Sequence, residues 1–149
     1  MSVAKMRLAL AVLLFAAWLG WLSYLVLTTT WTRPVVLSRP QFLESKLDVI
    51  AQVDRIDGNE PEVTIREVLW PEDQAKKPTG KKIQVVNLAE ARDDWTGPGE
   101  YILPLVPLGE KKYEVAPIPR SPGFAGGGRP RIYPRTEETR KQYEAIHKS

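Results

Sequence analysis

Leu47–Trp70 reads LDVIAQVDRIDGNEPEVTIREVLW, and its periodicity decides the fold class. Leu47, Val49, Ala51 and Val53 alternate with Asp48, Gln52 and Asp54, the period-two pattern of a half-buried strand. Asp57-Gly58-Asn59 then supplies residues that tolerate positive φ, so a hairpin turn follows. The returning strand runs from Glu62 to Trp70. Val63 and Ile65 share one face while Val68 and Trp70 share the other, so the apolar phase slips between Ile65 and Val68. A β-bulge produces such a slip and bends the strand.

Downstream the pattern repeats. Pro71 to Gly80 is a polar loop, and Lys81 to Leu88 is a third strand around Ile83, Val85 and Val86. Residues 89–99 form an irregular or short helical crossing. Glu100 to Leu108 is a fourth, nearly all-apolar strand. Pro104 and Pro107 each remove a ladder donor there, which predicts an edge or a bulge. Tyr113 to Ile118 is a fifth. Residues 47–118 thus read as a mainly β domain of five short strands, a small closed or partly closed Greek-key barrel or a small open sandwich. The strand rhythm of V-I-A-Q-V-D, V-T-I-R-E-V-L-W, I-Q-V-V and G-E-Y-I-L-P-L resembles OB-like folds and netrin-type modules of secreted or membrane-anchored proteins. That resemblance covers residues 47–118, carries no signature motif and implies architecture, not activity.

Upstream, Leu8 to Leu27 reads LALAVLLFAAWLGWLSYLVL, a run without a charge. Twenty helical residues span about 30 Å, the hydrocarbon thickness of a bilayer. A cleaved signal peptide would carry a shorter apolar core and a small-x-small site. This run leads instead into Thr28-Thr29-Thr30-Trp31, and an uncleaved signal-anchor is expected over residues 8–27. Lys5 and Arg7 in the short tail 1–7 place the N-terminus in the cytoplasm and the domain outside it, periplasmic or extracellular. Within the span Ala16, Gly20 and Ser23 make a small-residue stripe of the kind that lets helices approach closely. Trp18 and Trp21 sit deeper than the headgroup level that indoles prefer, whereas Tyr24 and Trp31 suit an interfacial belt. Ala16, Trp18, Gly20 and Trp21 are therefore candidate contacts for a membrane protein partner or a second copy. Residues 28–46, with Pro34 and Pro40, show no sustained period and read as a tether or as an extended lead-in that lies on the domain.

Beyond the strands, residues 119–135 read PRSPGFAGGGRPRIYPR, rich in Pro, Gly and Arg and free of acid. This predicts an extended segment with a hinge at Gly126-Gly127-Gly128. Arg120, Arg129, Arg131 and Arg135, interleaved with Phe124 and Tyr133, form a candidate docking set for an acidic partner or anionic headgroups. A short C-terminal helix follows over 136–149. Thr136 is its cap, Glu137–Lys141, Arg140–Glu144 and Glu144–Lys148 are its i,i+4 pairs, and Tyr143 and Ile146, its only large apolar residues, are expected to clip it onto something.

Charge and composition narrow the function. The chain has 21 basic and 18 acidic residues, but residues 28–108 carry 10 and 13, a net of −3, and residues 109–149 carry 9 and 5, a net of +4. A phosphate-binding face needs dense positive charge on the folded part, so nucleic acid is not an expected partner. There is no cysteine and only one histidine, His147. Thiolate metal sites and Cys–His catalysis are thereby excluded, and Ser–His catalysis is poorly served. Asp93-Asp94 lacks the spacing of a calcium loop and reads as a turn beside Trp95. The glycine triplet follows no strand and precedes no Lys-Ser/Thr, so it is not a phosphate cradle. No catalytic, cofactor or metal residues are assigned. The expected function is a non-enzymatic, membrane-anchored accessory subunit or adaptor. The alternative is a ligand or haem carrier: the layout resembles the haem chaperones of cytochrome c maturation, which carry His-x-x-x-Tyr after the barrel. Here the order is reversed, as Tyr143-x-x-x-His147.

Overall fold

The computed structural model describes residues 2–31, 34–59, 61–74, 80–123, 125 and 127–148, and the side chains of Thr30 and Trp31 are not described. Phe124, Gly126 and the Trp31 side chain, each given a role above, lie outside the described residues. The chain divides into two units, Met1–Val35 and Val36–Ser149.

The first unit is one α-helix, α1, Val3–Trp31. It extends the expected 20-residue run at both ends. Over Val3–Thr29 it is long and apolar enough to cross a membrane, and none of its most apolar window is buried inside the protein. Its polar C-terminal turn keeps its hydroxyls on the helix: Thr28 and Thr29 Oγ1 both donate to the Leu25 carbonyl, at 3.0 and 2.7 Å.

The second unit contains α2 (Arg39–Glu44), a sheet β1 (Leu47–Val53), β2 (Glu62–Trp70), β3 (Lys82–Val85), β4 (Gly99–Gly109), β5 (Lys112–Val115) and β6 (Tyr133–Pro134), and α3 (Glu137–Lys148). A 3₁₀ segment, Leu88–Asp94, makes the crossing between β3 and β4. The sheet order is β1-β2-β3-β5-β4-β6, and β1 also pairs with β4 along its whole length. All pairs are antiparallel except β3 with β5. The expected phase slip in β2 is present. Ile50 faces Glu67 and Ala51 faces Ile65, so Arg66 is the extra residue, and a second slip at Leu69 follows between Val49 and Asp48.

Three differences from the sequence expectation share one cause. Within residues 28–46, expected as a tether or extended lead-in, the chain forms the helix α2, which buries Gln41 and Phe42 and so lies on the domain. The segment after Pro119 is not simply extended. Pro117 bridges Pro130, the Ile118 amide donates to the Arg129 carbonyl (2.9 Å), and the Gly128 amide returns to Ile118 (2.6 Å). Ile132 and Tyr133 then enter the interior, and Tyr133 pairs with Ile102 as β6. Of the edge or bulge expected from Pro104 and Pro107, β4 shows the bulge, a register shift against β5 between Pro107 and Gly109, and with β1 and β6 also paired to it β4 is no edge strand. Pro104 is tolerated because its carbonyl, which accepts from the Ala116 amide at 2.8 Å, is the group used there. In each case apolar residues too sparse to show a period are drawn in because β1 and β4 have two faces to cover.

The main core lies on one face and includes Val49, Ala51, Val53, Leu103, Leu105 and Val115. On the other face Ile50, Ile102 and Tyr133 are buried outside that cluster, under α2 and α3. Phe42 joins the cover, its ring 5.6 Å from Tyr133 and 5.3 Å edge-on from Tyr143.

Candidate functional site

The covered outer face carries the strongest concentration of polar chemistry in the molecule. Asp48 points from β1 to that face and is fully buried. Ser45 Oγ donates to its Oδ1 at 2.5 Å, and the Tyr143 hydroxyl donates to Oδ2 at 2.7 Å. His147 Nε2 stands 3.4 Å from the same Oδ2. The imidazole is 26 % exposed, stacked on Trp70 with centroids 5.3 Å apart and 19° between planes, and in contact with the Tyr143 ring at 4.6 Å.

Local sequence explains the convergence. Tyr143 and His147 are four apart on α3 and so lie on one face. Asp48 and Trp70 are ladder partners on β1 and β2. Thr136 and Thr139 start α3 by mutual bonds: the Thr139 amide donates to Thr136 Oγ1 at 3.1 Å, and Thr136 N donates to Thr139 Oγ1 at 2.9 Å. Arg140 then fixes the helix to β2 by two bonds to Glu67, at 3.0 and 3.3 Å.

Burial pushes the Asp48 carboxyl above the usual carboxylate range, against the opposing pull of Ser45, Tyr143 and His147. Burial, and the adjacent Asp48, push the Tyr143 hydroxyl far above its ordinary value, so it stays a donor. Beside the cluster is a cleft of about 210 Å³ that Trp70, Glu72, Arg140, Tyr143, His147 and Lys148 help to line. No group of three His, Asp or Glu side chains able to hold a metal ion exists among the described residues. The arrangement holds a proton between fixed groups and clamps a helix to a sheet.

A second polar pin lies alongside. Gln41, fully buried, donates from Nε2 to the Ala116 and Arg131 carbonyls at 2.7 and 2.9 Å. Its Oε1 accepts from the Tyr133 hydroxyl at 2.6 Å, and that oxygen accepts in turn from the Ser38 amide at 3.1 Å. Every polar atom of the Gln41 side chain is therefore used, the condition under which a buried polar network stabilises.

The residues singled out from sequence are placed as follows. Tyr133 is buried, and burial raises its hydroxyl pKa. Arg131 sits over the Tyr133 ring and 3.4 Å from Asp94, whose carboxyl burial pushes up while Arg131 holds it down. Arg135 pairs with Glu100 at 2.5 Å. The Arg120 side chain lies against Gly128, where φ is +83° and an added Cβ would fall 2.8 Å from Arg120 Nε. Arg129 borders a cleft of about 230 Å³ with Glu90, Asp93 and Arg131. On α1, successive 100° steps set Ala16 and Gly20 on one side and Trp18 and Trp21 on the other. Phe15 and Tyr24 continue that aromatic ridge, with Phe15–Trp18 at 6.3 Å and Trp21–Tyr24 at 6.2 Å. Trp95 packs against the core, and its indole N–H is buried without a partner.

Sequence reasoning passed over Asp48, Ser45 and Gln41, and assigned Asp48 to the solvent face of its strand. One signal could have found it: Ile50 stands on the same face as Asp48, and a large apolar residue there marks a strand covered on both sides. Comparison of the chain with protein-family models, curated proteins and solved structures returns no match, so its function is read from the geometry alone.

Proposed function

We propose that this chain is a non-enzymatic interaction module tethered to a membrane by α1, an accessory subunit or adaptor of a membrane protein complex. The observation that carries the reading is the contrast in burial. Apolar side chains of α1 such as Leu13, Phe15, Trp18 and Trp21 are 57 to 68 % exposed within the chain. An apolar helix left uncovered by its own protein is covered by lipid or by another helix. The small-residue side of α1 suits close helix contact, and its aromatic ridge suits lipid or a broader partner face. In this reading the sheet is a small OB-like barrel. Its support is the ladder order, in which β1 pairs with both β2 and β4. The N-terminus lies in the cytoplasm and the domain outside it, supported by Lys5 and Arg7 before the span. The Asp48 cluster serves the module as the lock of its C-terminal helix.

The test is purification from native membranes in mild detergent, followed by mass spectrometry of whatever co-elutes. A stoichiometric partner or a second copy, lost on Gly20→Leu, is expected, because no atom approaches within 4 Å of a Cβ at Gly20 within the chain itself. A lone monomer from several detergents sinks the subunit reading. Arg129→Glu tests the basic segment separately, since deleting residues 119–149 would remove Ile132, Tyr133 and Tyr143 from the interior.

A further inference from the structure

Among the described residues of the second unit, four large apolar side chains stay exposed: Val36 at 61 %, Leu43 at 65 %, Trp70 at 40 % and Leu108 at 53 %. The register gathers them at one end of the sheet. Trp70 pairs with Asp48 at the start of β1. Leu47 pairs with Leu105, and β4 runs on past that pairing to Leu108. Leu43 belongs to α2, which leads directly into β1, and Val36 precedes Leu37, whose amide is held by Gln142 of α3 at 3.1 Å. At the opposite end are the turn Asp57-Gly58-Asn59, the 3₁₀ segment and the start of β4. No large apolar side chain is exposed there among the described residues.

This asymmetry coincides with the covalent geometry. Val36 follows Trp31, the last residue of α1, by five peptide links, which reach at most about 17 Å. Val36, one of the four, is thus held within that reach of the boundary of any bilayer that α1 crosses. Indole and aliphatic side chains held at that depth partition into the interface. Among the described residues, charges at this end are mixed: exposed Arg39, Lys46 and Lys111 stand among exposed Glu44, Glu72 and Glu110. Apolar contact, not attraction to anionic headgroups, is what this surface offers.

We infer that Val36, Leu43, Trp70 and Leu108 form a lipid-contacting end that rests the domain on the bilayer surface, on zwitterionic lipid as readily as on anionic. The inference depends on the tethered reading proposed above. The chain has no cysteine, so single reporters can be introduced cleanly. Leu43→Cys, Leu108→Cys and, at the far end, Asn59→Cys are each spin-labelled in the full chain. Each is reconstituted into phosphatidylcholine vesicles and, at one chain per disc, into nanodiscs. The labels at 43 and 108 are expected to relax several-fold faster with oxygen than with a water-soluble nickel chelate, and the label at 59 the reverse. Labels at 43 and 108 that behave like the one at 59, in chains that resist carbonate extraction from the vesicles, overturn the lipid contact and leave the tether standing. Chains released by carbonate overturn both. Protection seen only when several chains share a disc assigns the end to a second copy and also overturns the inference.

Discussion

The two long helices of this protein invert the usual expectation. α1 is apolar almost throughout and none of its most apolar window is buried, whereas α3, the charged helix EETRKQYEAIHK, buries Thr139 and Tyr143 and is pinned to the sheet. Hydropathy indicates which solvent a helix wants. It does not indicate how firmly the helix is held. The hold on α3 comes from a few polar atoms placed where water is excluded, and there each bond matters because an unmade one leaves a buried group unsatisfied.

The sharpest way to break this comparison is Tyr143→Ala. It removes the ring packed on Phe42 and the donor to Asp48 together, and should destabilise the domain by about 3 to 5 kcal/mol. Denaturant unfolding of the full chain in detergent measures it, and a loss under about 1 kcal/mol would show that α3 is not docked in solution. Gln41→Ala comes next, at about 2 to 3 kcal/mol, because it takes the acceptor from the Tyr133 hydroxyl and the donor from one buried and one partly buried carbonyl. The same unfolding experiment reads it, and a near-neutral result removes the second pin from the account.

A smaller effect concerns pH. The Asp48 pKa is raised in the folded state, so between the unfolded value near 4 and the raised folded value the native protein holds more protons than the unfolded chain. The carboxyl therefore favours folding at acidic pH, and its contribution is lost as pH rises through the folded pKa. Asp94, shifted the same way, adds to the trend. The midpoint of thermal unfolding should fall as pH rises above about 4, and Asp48→Asn should flatten the slope while keeping an acceptor for Tyr143. A slope unchanged by the substitution would place the titration elsewhere. The smallest expected effect belongs to α1. Gly20→Leu should move the unfolding of the second unit by less than about 0.5 kcal/mol, even where it abolishes association in the membrane. A larger change would mean that the helix contributes to the domain's stability after all.

Much of the sheet was legible in the sequence. The alternation from Leu47, the turn at Gly58 and the bulge at Arg66 all follow from side-chain period, because β1 and β2 pair locally. The C-terminal helix was legible through its charge pairs. What closes the outer face was not. α2 is only six residues long and β6 only two, too short to show a period, and although Tyr143 and Ile146 mark α3 as a helix that clips onto something, they do not say onto what. The candidate site was hidden for a related reason. It joins Ser45, Asp48, Tyr143 and His147 across about 100 residues, and no spacing rule links groups that meet only after the strands have paired. The sequence marks His147 only as the single histidine; the buried carboxyl beneath it is what gives it a place.

The position of Tyr133 and Tyr143 in the chain also sets an order of assembly. The strands β1 to β5 are complete at Val115, yet the groups that seal their outer face are synthesised afterwards. A nascent domain emerging from the ribosome therefore shows Ile50 and Ile102 to water, and Asp48 hydrated, until the tail arrives. Landing of the tail removes that apolar surface and desolvates the acid in one event. Quality-control factors that read exposed apolar strands have a defined interval in which to act, and it closes only when residues 132–147 have been released and folded back.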